Sequence, residues 1–98
     1  MVINMITHDE ISKAIINTAE TFPIKNVSYF GSYADGRQTE ASDLDLLIEF
    51  QNPAVSLFML SEIKNNLEAQ LKISVDIIHA PLPGDTFLEI GKVVRVYG

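Results

Sequence analysis

Residues 30–50, FGSYADGRQTEASDLDLLIEF, decide how the rest of the chain is read. Leu44, Leu46, Ile48 and Phe50 alternate with Asp45, Leu47 and Glu49, the two-residue period of a half-buried strand with one apolar face. Asp43 and Asp45 then share the opposite face. Two ionised carboxylates held together repel by ~4 kcal/mol at about 4 Å and an effective dielectric of roughly 20, so a divalent cation is the natural partner for such a pair. Just upstream, Gly31-Ser32 ends a second apolar run, residues 27–30. A Gly-Ser corner leaves backbone N–H groups uncovered and lets a ligand approach the main chain, which suits a phosphate.

A third acid, Asp76, lies in ISVDII (residues 73–78), another strand-like run that follows a helical stretch. If residues 27–30 and 44–50 pair antiparallel, the end of the first strand lies beside the start of the second, and Gly31-Ser32 faces Asp43 and Asp45. A helix over residues 56–71 then returns the chain by a right-handed crossover, so that residues 75–78 run parallel to 44–50 with Asp76 level with Asp45. Each fragment alone has an ordinary reading: a polar connection between strands for residues 31–36, a solvated strand edge for the Asp-x-Asp pair. A phosphate-cradling corner facing three carboxylates is what metal-assisted phosphoryl or nucleotidyl transfer requires.

Gly31-Ser32, the loop Tyr33-Ala34-Asp35-Gly36, Ser42-Asp43-Leu44-Asp45-Leu46 and Val75-Asp76-Ile77 resemble the signature of the minimal nucleotidyltransferases of the DNA polymerase β superfamily. The likeness spans nearly the whole chain, which on this basis reads as one minimal nucleotidyltransferase domain over residues 1–98. The resemblance implies that Asp43, Asp45 and Asp76 hold two divalent ions, Mg²⁺ or alternatively Mn²⁺. It also implies that Gly31 and Ser32 hold the nucleotide phosphates and that Asp76 lies close to the attacking hydroxyl. Many small members are antitoxins paired with an all-helical HEPN toxin, and the resemblance implies that some transfer AMP to a tyrosine of that partner. The expected activity is therefore Mg²⁺-dependent transfer of AMP from ATP, or of a nucleotide from another NTP, to a hydroxyl of a HEPN-type partner in a hetero-oligomer. One departure stands out. Such loops commonly read Gly-Ser-x-Ala-Arg-Gly, whereas this chain carries Asp35 in place of the basic residue, with Arg37 two residues on as the candidate replacement at the phosphates. The alternative is thus an interaction module that keeps the fold without the activity and neutralises its partner by binding alone.

The chain is 98 residues long, enough for one domain with one core and too short for a second. Hydrophobic residues make up 47% and charged residues 20%, a globular composition that argues against disorder. A net charge of −6 with seven scattered basic residues disfavours direct nucleic-acid binding, which relies on a Lys/Arg patch. The absence of cysteine excludes disulfide scaffolds and thiolate metal sites. No basic start leads into an apolar run and no apolar stretch is long enough to span a bilayer, so the chain reads as cytoplasmic, with no membrane partner.

Thr7 and Glu10 form a capping box, with Ile6 and Ile11 as a hydrophobic staple. Ile11, Ala14, Ile15, Ala19 and Phe22 fall on one helical face, and Pro23 stops the helix. Residues 26–30 are the first predicted strand. In the long helix Met59, Leu60, Ile63, Leu67 and Leu71 form the core stripe. Leu57 and Phe58 lie off its centre, with extra core burial as the expected reason and a second contact surface as the alternative. Residues 81–84 predict a turn, Asp85 caps a short helix ending near Gly91, and residues 93–97 form an edge strand. The fold class expected is a two-layer α/β (α+β) domain, a short mixed sheet covered by helices on one face, with Asp76, Ile78, Asp45 and Leu47 on the uncovered face. His8 and His79 have no second ligand at metal spacing and read as structural or solvated. Ser32 lacks the His/Asp partners of a nucleophile. Tyr33 and Tyr97 are assigned to surface or edge packing, with stacking on a base as a further role for Tyr33.

Overall fold

Thr7 starts the first helix as expected. Its side chain accepts from the Glu10 N–H at 3.2 Å while the Glu10 carboxylate accepts from the Thr7 N–H at 3.4 Å, satisfying donors that the helix cannot. The computed structural model describes residues 6–39, 42–52, 54–80 and 91–98. In chain order these form α1 (His8–Thr21), β1 (Ile24–Phe30), α2 (Ser32–Asp35), β2 (Leu44–Phe50), α3 (Leu57–Leu71), β3 (Val75–Ala80) and β4 (Val93–Tyr97). The sheet order is β3-β2-β1-β4. β1 is antiparallel to both β2 and β4, and β2 is parallel to β3. The expected mixed sheet and its crossover through α3 are therefore present.

The helices α1 and α3 pack on each other, on β1 and β4, and on β3, which puts both on one face of the sheet. Their shared core holds Ile11, Ala14, Ile15 and Ala19 of α1, Ile63, Leu67 and Leu71 of α3, and the inward residues Val27, Leu44, Leu46, Ile48 and Val75. Burying each of these aliphatic side chains is worth about 1.5–3 kcal/mol for the larger ones. Thr18, also buried, is satisfied by Gln70 of α3, whose Nε2 donates to Thr18 Oγ1 at 3.1 Å. The turn from α3 into β3 is tied down twice. Lys72 caps the helix in the left-handed region at φ 61°, and the Val75 N–H donates to Glu68 Oε2 at 2.8 Å. These contacts hold β3 in register with β2, and the register sets the position of Asp76.

Several boundaries differ from those expected. β1 begins at Ile24, two residues early, because the buried Ile24 pairs with Phe50 and the Gln51 N–H donates to the Pro23 carbonyl at 3.0 Å. Phe22 lies outside α1 as its extended C-cap and packs against the core from there. Residues 31–36 are not a simple connection, since they contain the single turn α2. That turn carries Tyr33 and Ala34 into the core, so Tyr33 is buried rather than on the surface or free to stack on a base. Leu57 and Phe58, expected to add core burial, are 82% and 75% exposed. Both lie off the stripe of Ile63, Leu67 and Leu71 that α3 buries, so the core does not reach them. The second face of the sheet is also less open than expected: Leu47, flanked in register by Ser28 and Ile78, is buried, while Asp43 and Asp76 at one end and Arg95 on β4 are exposed. Tyr97 packs against the core from edge strand β4, as expected. The turn and capped helix expected over residues 81–90 lie outside the described residues.

Candidate active site

The site is assembled at the ends of three adjacent strands. β1 delivers Gly31 and Ser32, β2 delivers Asp45 with Asp43 just before it, and β3 delivers Asp76. Phe30 pairs with Asp45 across the antiparallel ladder, and Asp45 pairs with Asp76 across the parallel one. Residues paired in register point to the same face, so Asp45 and Asp76 are neighbours. Asp43, two residues earlier, shares that face. Asp43 and Asp76 are exposed and Asp45 is half-buried.

The corner is held by its own backbone. Gly31 has φ 75° and ψ −147°, a conformation open to glycine and strained for other residues, and its carbonyl accepts from the N–H groups of Ala34 and Asp35, each at 3.0 Å. Gly36 closes the turn in the left-handed region at φ 74°, and the Arg37 N–H donates to the Ser32 carbonyl at 2.9 Å. A Cβ at Gly31 would run into Oδ2 of Asp45. The backbone of the corner therefore lies directly against the central carboxylate, a cradle that any side chain at position 31 would fill.

The electrostatics follow from this crowding. Partial burial raises the Asp45 carboxyl above its ordinary value, and the neighbouring charges of Asp76 and then Asp43 raise it further. The Tyr33 hydroxyl is raised mainly by burial and secondarily by the charge of Asp43. Among the described residues no three Asp, Glu or His side chains converge into a ready ligand cage. The donor set itself, three carboxylates beside an uncovered backbone corner, is all oxygen and fits a hard divalent cation such as Mg²⁺.

Arg37 is turned to its neighbour. Its Nη2 donates to Asp35 Oδ2 at 2.8 Å, so the charge expected at the phosphates is engaged by the residue that departs from the common loop pattern. The two histidines are structural, as expected. His8 Nδ1 lies 2.7 Å from the Tyr29 hydroxyl, and His79 packs edge-on against Phe50 with ring centroids 5.2 Å apart. One feature escaped the sequence reading. A recess of about 400 Å³ beside Asp76 is lined by Leu57, Leu60, Ser61, Lys64 and Ile77. The helical spacing of Leu57, Ser61 and Lys64 was the available signal, outweighed by the stronger core stripe one position away.

The sequence profile of the nucleotidyltransferase domain family matches residues 11–96. The chain belongs to this family. Among its relatives, protein adenylyltransferase MntA of Thermococcus cleftensis is 33% identical over 78 residues, spanning 76% of this chain and 78% of MntA. The Methanocaldococcus jannaschii protein MJ0126 is 46% identical over 59 residues, 60% of this chain, and the chain spans only 59% of its length. Two solved structures share the nucleotidyltransferase fold. One is a toxin–antitoxin complex with AMP-PNP, with TM-score 0.75 and 19% identity over 89% of this chain and 73% of that one. The other is a tri-AMPylated Shewanella oneidensis HEPN toxin in complex with an MNT antitoxin, with TM-score 0.70 and 14% identity over 94% of this chain and 73% of that one. No helix among the described residues of this nucleotidyltransferase domain is long and apolar enough to cross a membrane.

Proposed function

We propose that this nucleotidyltransferase domain transfers AMP from ATP to a hydroxyl, a tyrosine, of a helical HEPN-type toxin and acts as its antitoxin. The observation that carries the reading is the register of Asp45 with Asp76, on the face that Asp43 shares and against which the Gly31 corner is packed. The name of MntA, and the AMPylated toxin bound to an antitoxin of the same fold, support the substrate and the partner. Gly31 and Ser32 hold the β- and γ-phosphates through the backbone of the corner. Asp43, Asp45 and Asp76 are the residues that would hold Mg²⁺, which when bound neutralises charge on the triphosphate and on the leaving pyrophosphate. Asp76, exposed on β3, also accepts the hydrogen bond of the incoming hydroxyl and so aims its oxygen at the α-phosphorus. Because Asp43 and Asp76 are open to solvent, the partner protein supplies the cover that orients the acceptor and excludes water.

Intact-mass spectrometry of the co-purified pair with ATP and Mg²⁺ tests this. The partner gains the mass of one or more AMP units, and Asp76→Ala abolishes the gain. A partner that is neutralised yet never modified rejects the transferase reading. It would leave the second reading, neutralisation by binding alone, which one observation favours: Asp35 holds Arg37 in an ion pair at 2.8 Å, away from a phosphate role.

A further inference from the structure

We propose that the recess between α3 and β3 seats the acceptor segment of the protein substrate, with Leu57 and Phe58 as its apolar anchor and Lys64 as its charge partner. The inference rests on the transferase reading above and adds to it the surface that selects the acceptor. Its basis is the order of parts across the sheet. The Gly31-Ser32 corner ends β1, Asp45 lies on the next strand and Asp76 on the one after, which is the sheet edge. With the triphosphate over the β1 corner, the acceptor has to enter from the opposite side, past Asp76. The recess of about 400 Å³ opens there, and Asp76 is part of its wall.

The lining has the chemistry of a peptide seat. Leu57, Leu60 or Ser61, and Lys64 recur at helical spacing and form one stripe along the rim of α3, beside the stripe of Ile63, Leu67 and Leu71 that is buried against the sheet. Leu57, in the lining, and Phe58, next to it in sequence at the outer side of the helix, expose 82% and 75% of their surface, apolar exposure of the kind that marks interaction sites. Lys64 is exposed and has no ion-pair partner among the described residues. The occupant that fits is a protein segment in which the acceptor hydroxyl lies within about two helical turns of an apolar side chain and a carboxylate. The apolar side chain covers Leu57 and Phe58, the carboxylate meets Lys64, and the hydroxyl reaches Asp76.

The test uses the protein with the helical HEPN-type partner that the proposed function assigns to it. Three variants are compared with wild type: the double substitution Leu57→Ser with Phe58→Ser, Lys64→Glu, and Ile16→Ser as a control at an apolar residue 40% exposed on the other helix. Calorimetry reads the affinity for ATP with Mg²⁺ and, separately, for the partner, and mass spectrometry reads AMP incorporation against partner concentration. The double variant and Lys64→Glu each raise the partner KM and Kd at least tenfold, with ATP affinity and the rate at saturating partner within about twofold of wild type. Ile16→Ser changes none of these. Unchanged partner affinity in both recess variants overturns the proposal, as does an equal loss in Ile16→Ser. A loss of ATP affinity in its place assigns the recess to the nucleotide and also overturns it. If wild type binds the partner without modifying it, the transferase reading fails, while weaker partner binding by the recess variants still upholds the seat.

Discussion

Gly31 and Asp45 are packed so closely that the missing Cβ of one is the space occupied by the carboxylate of the other. The glycine is therefore required twice, for its φ of 75° and for the position of the central acid. Gly31→Ala costs about 1–3 kcal/mol of stability through backbone strain, and it also pushes Asp45 aside, so binding of ATP with Mg²⁺ falls at least tenfold. Gly36→Ala separates the two effects. Gly36 has φ 74°, but nothing lies within 4 Å of where its Cβ would stand. That variant loses ~1–2 kcal/mol and keeps its affinity. Thermal melts and calorimetry on both variants check the contrast, and equal affinity loss in the two would show that Gly31 does not position Asp45.

Acid titration should reveal the crowding around Asp45. Its carboxyl is raised by burial, then by Asp76 and Asp43, so the folded state binds this proton more tightly than the unfolded chain does. The resulting stability is fully present below the ordinary aspartate value of 3.8 and is lost as pH rises through the raised folded value. In metal-free buffer, wild type loses this contribution over that window and Asp45→Asn does not. Added Mg²⁺ and ATP stabilise wild type at neutral pH by mass action and leave Asp45→Asn unchanged. Denaturant melts across pH measure both, and parallel pH profiles for the two proteins would remove Asp45 from the cluster.

The ion pair of Asp35 with Arg37 predicts the response of the loop. Asp35→Arg removes a negative charge near the phosphates, releases Arg37 and restores a cation at the usual position. Because the Arg37 side chain is 76% exposed and that of Asp35 34% exposed, solvent screening holds the gain to about 1 kcal/mol, roughly fivefold tighter ATP binding. Calorimetry giving identical affinities would put position 35 outside the phosphate site.

Much of this arrangement was legible in residues 30–50. The two-residue period from Leu44 to Phe50 carries the strand, the antiparallel return from Gly31 and the sidedness of Asp43 and Asp45, because burial on one face of a strand forces that period. The parallel position of Asp76 followed from the helical crossover between the two strands. What stayed hidden depends on contacts between distant segments. Tyr33 looks like a loop residue because its turn residues are polar, yet one turn of helix is enough to rotate it inward. Leu57 and Phe58 look like core because hydropathy does not say how wide a face of α3 the sheet covers. Ile24 is buried only because Phe50 lies opposite it, a pairing that the sequence around Pro23 does not announce.

The buried hydroxyl of Tyr29 gives a prediction remote from the acids. It lies 2.7 Å from His8 Nδ1, and His8 Nε2 in turn lies 3.2 Å from Ser12 Oγ. Tyr29→Phe removes the first of these bonds and costs ~1 kcal/mol, while metal and nucleotide affinity remain unchanged. A loss of metal binding in this variant would show that His8 belongs to the site after all.

Because β2 and β3 run parallel, no hairpin joins them, and Asp76 reaches its place beside Asp45 only once α3 has packed across the sheet. Contacts of such long sequence separation form late. A nascent chain that has emerged as far as β2 already carries the Gly31-Ser32 corner and two of the acids, but it cannot yet carry the third. The three-acid cluster thus comes into being only once α3 and β3 have both been made and folded.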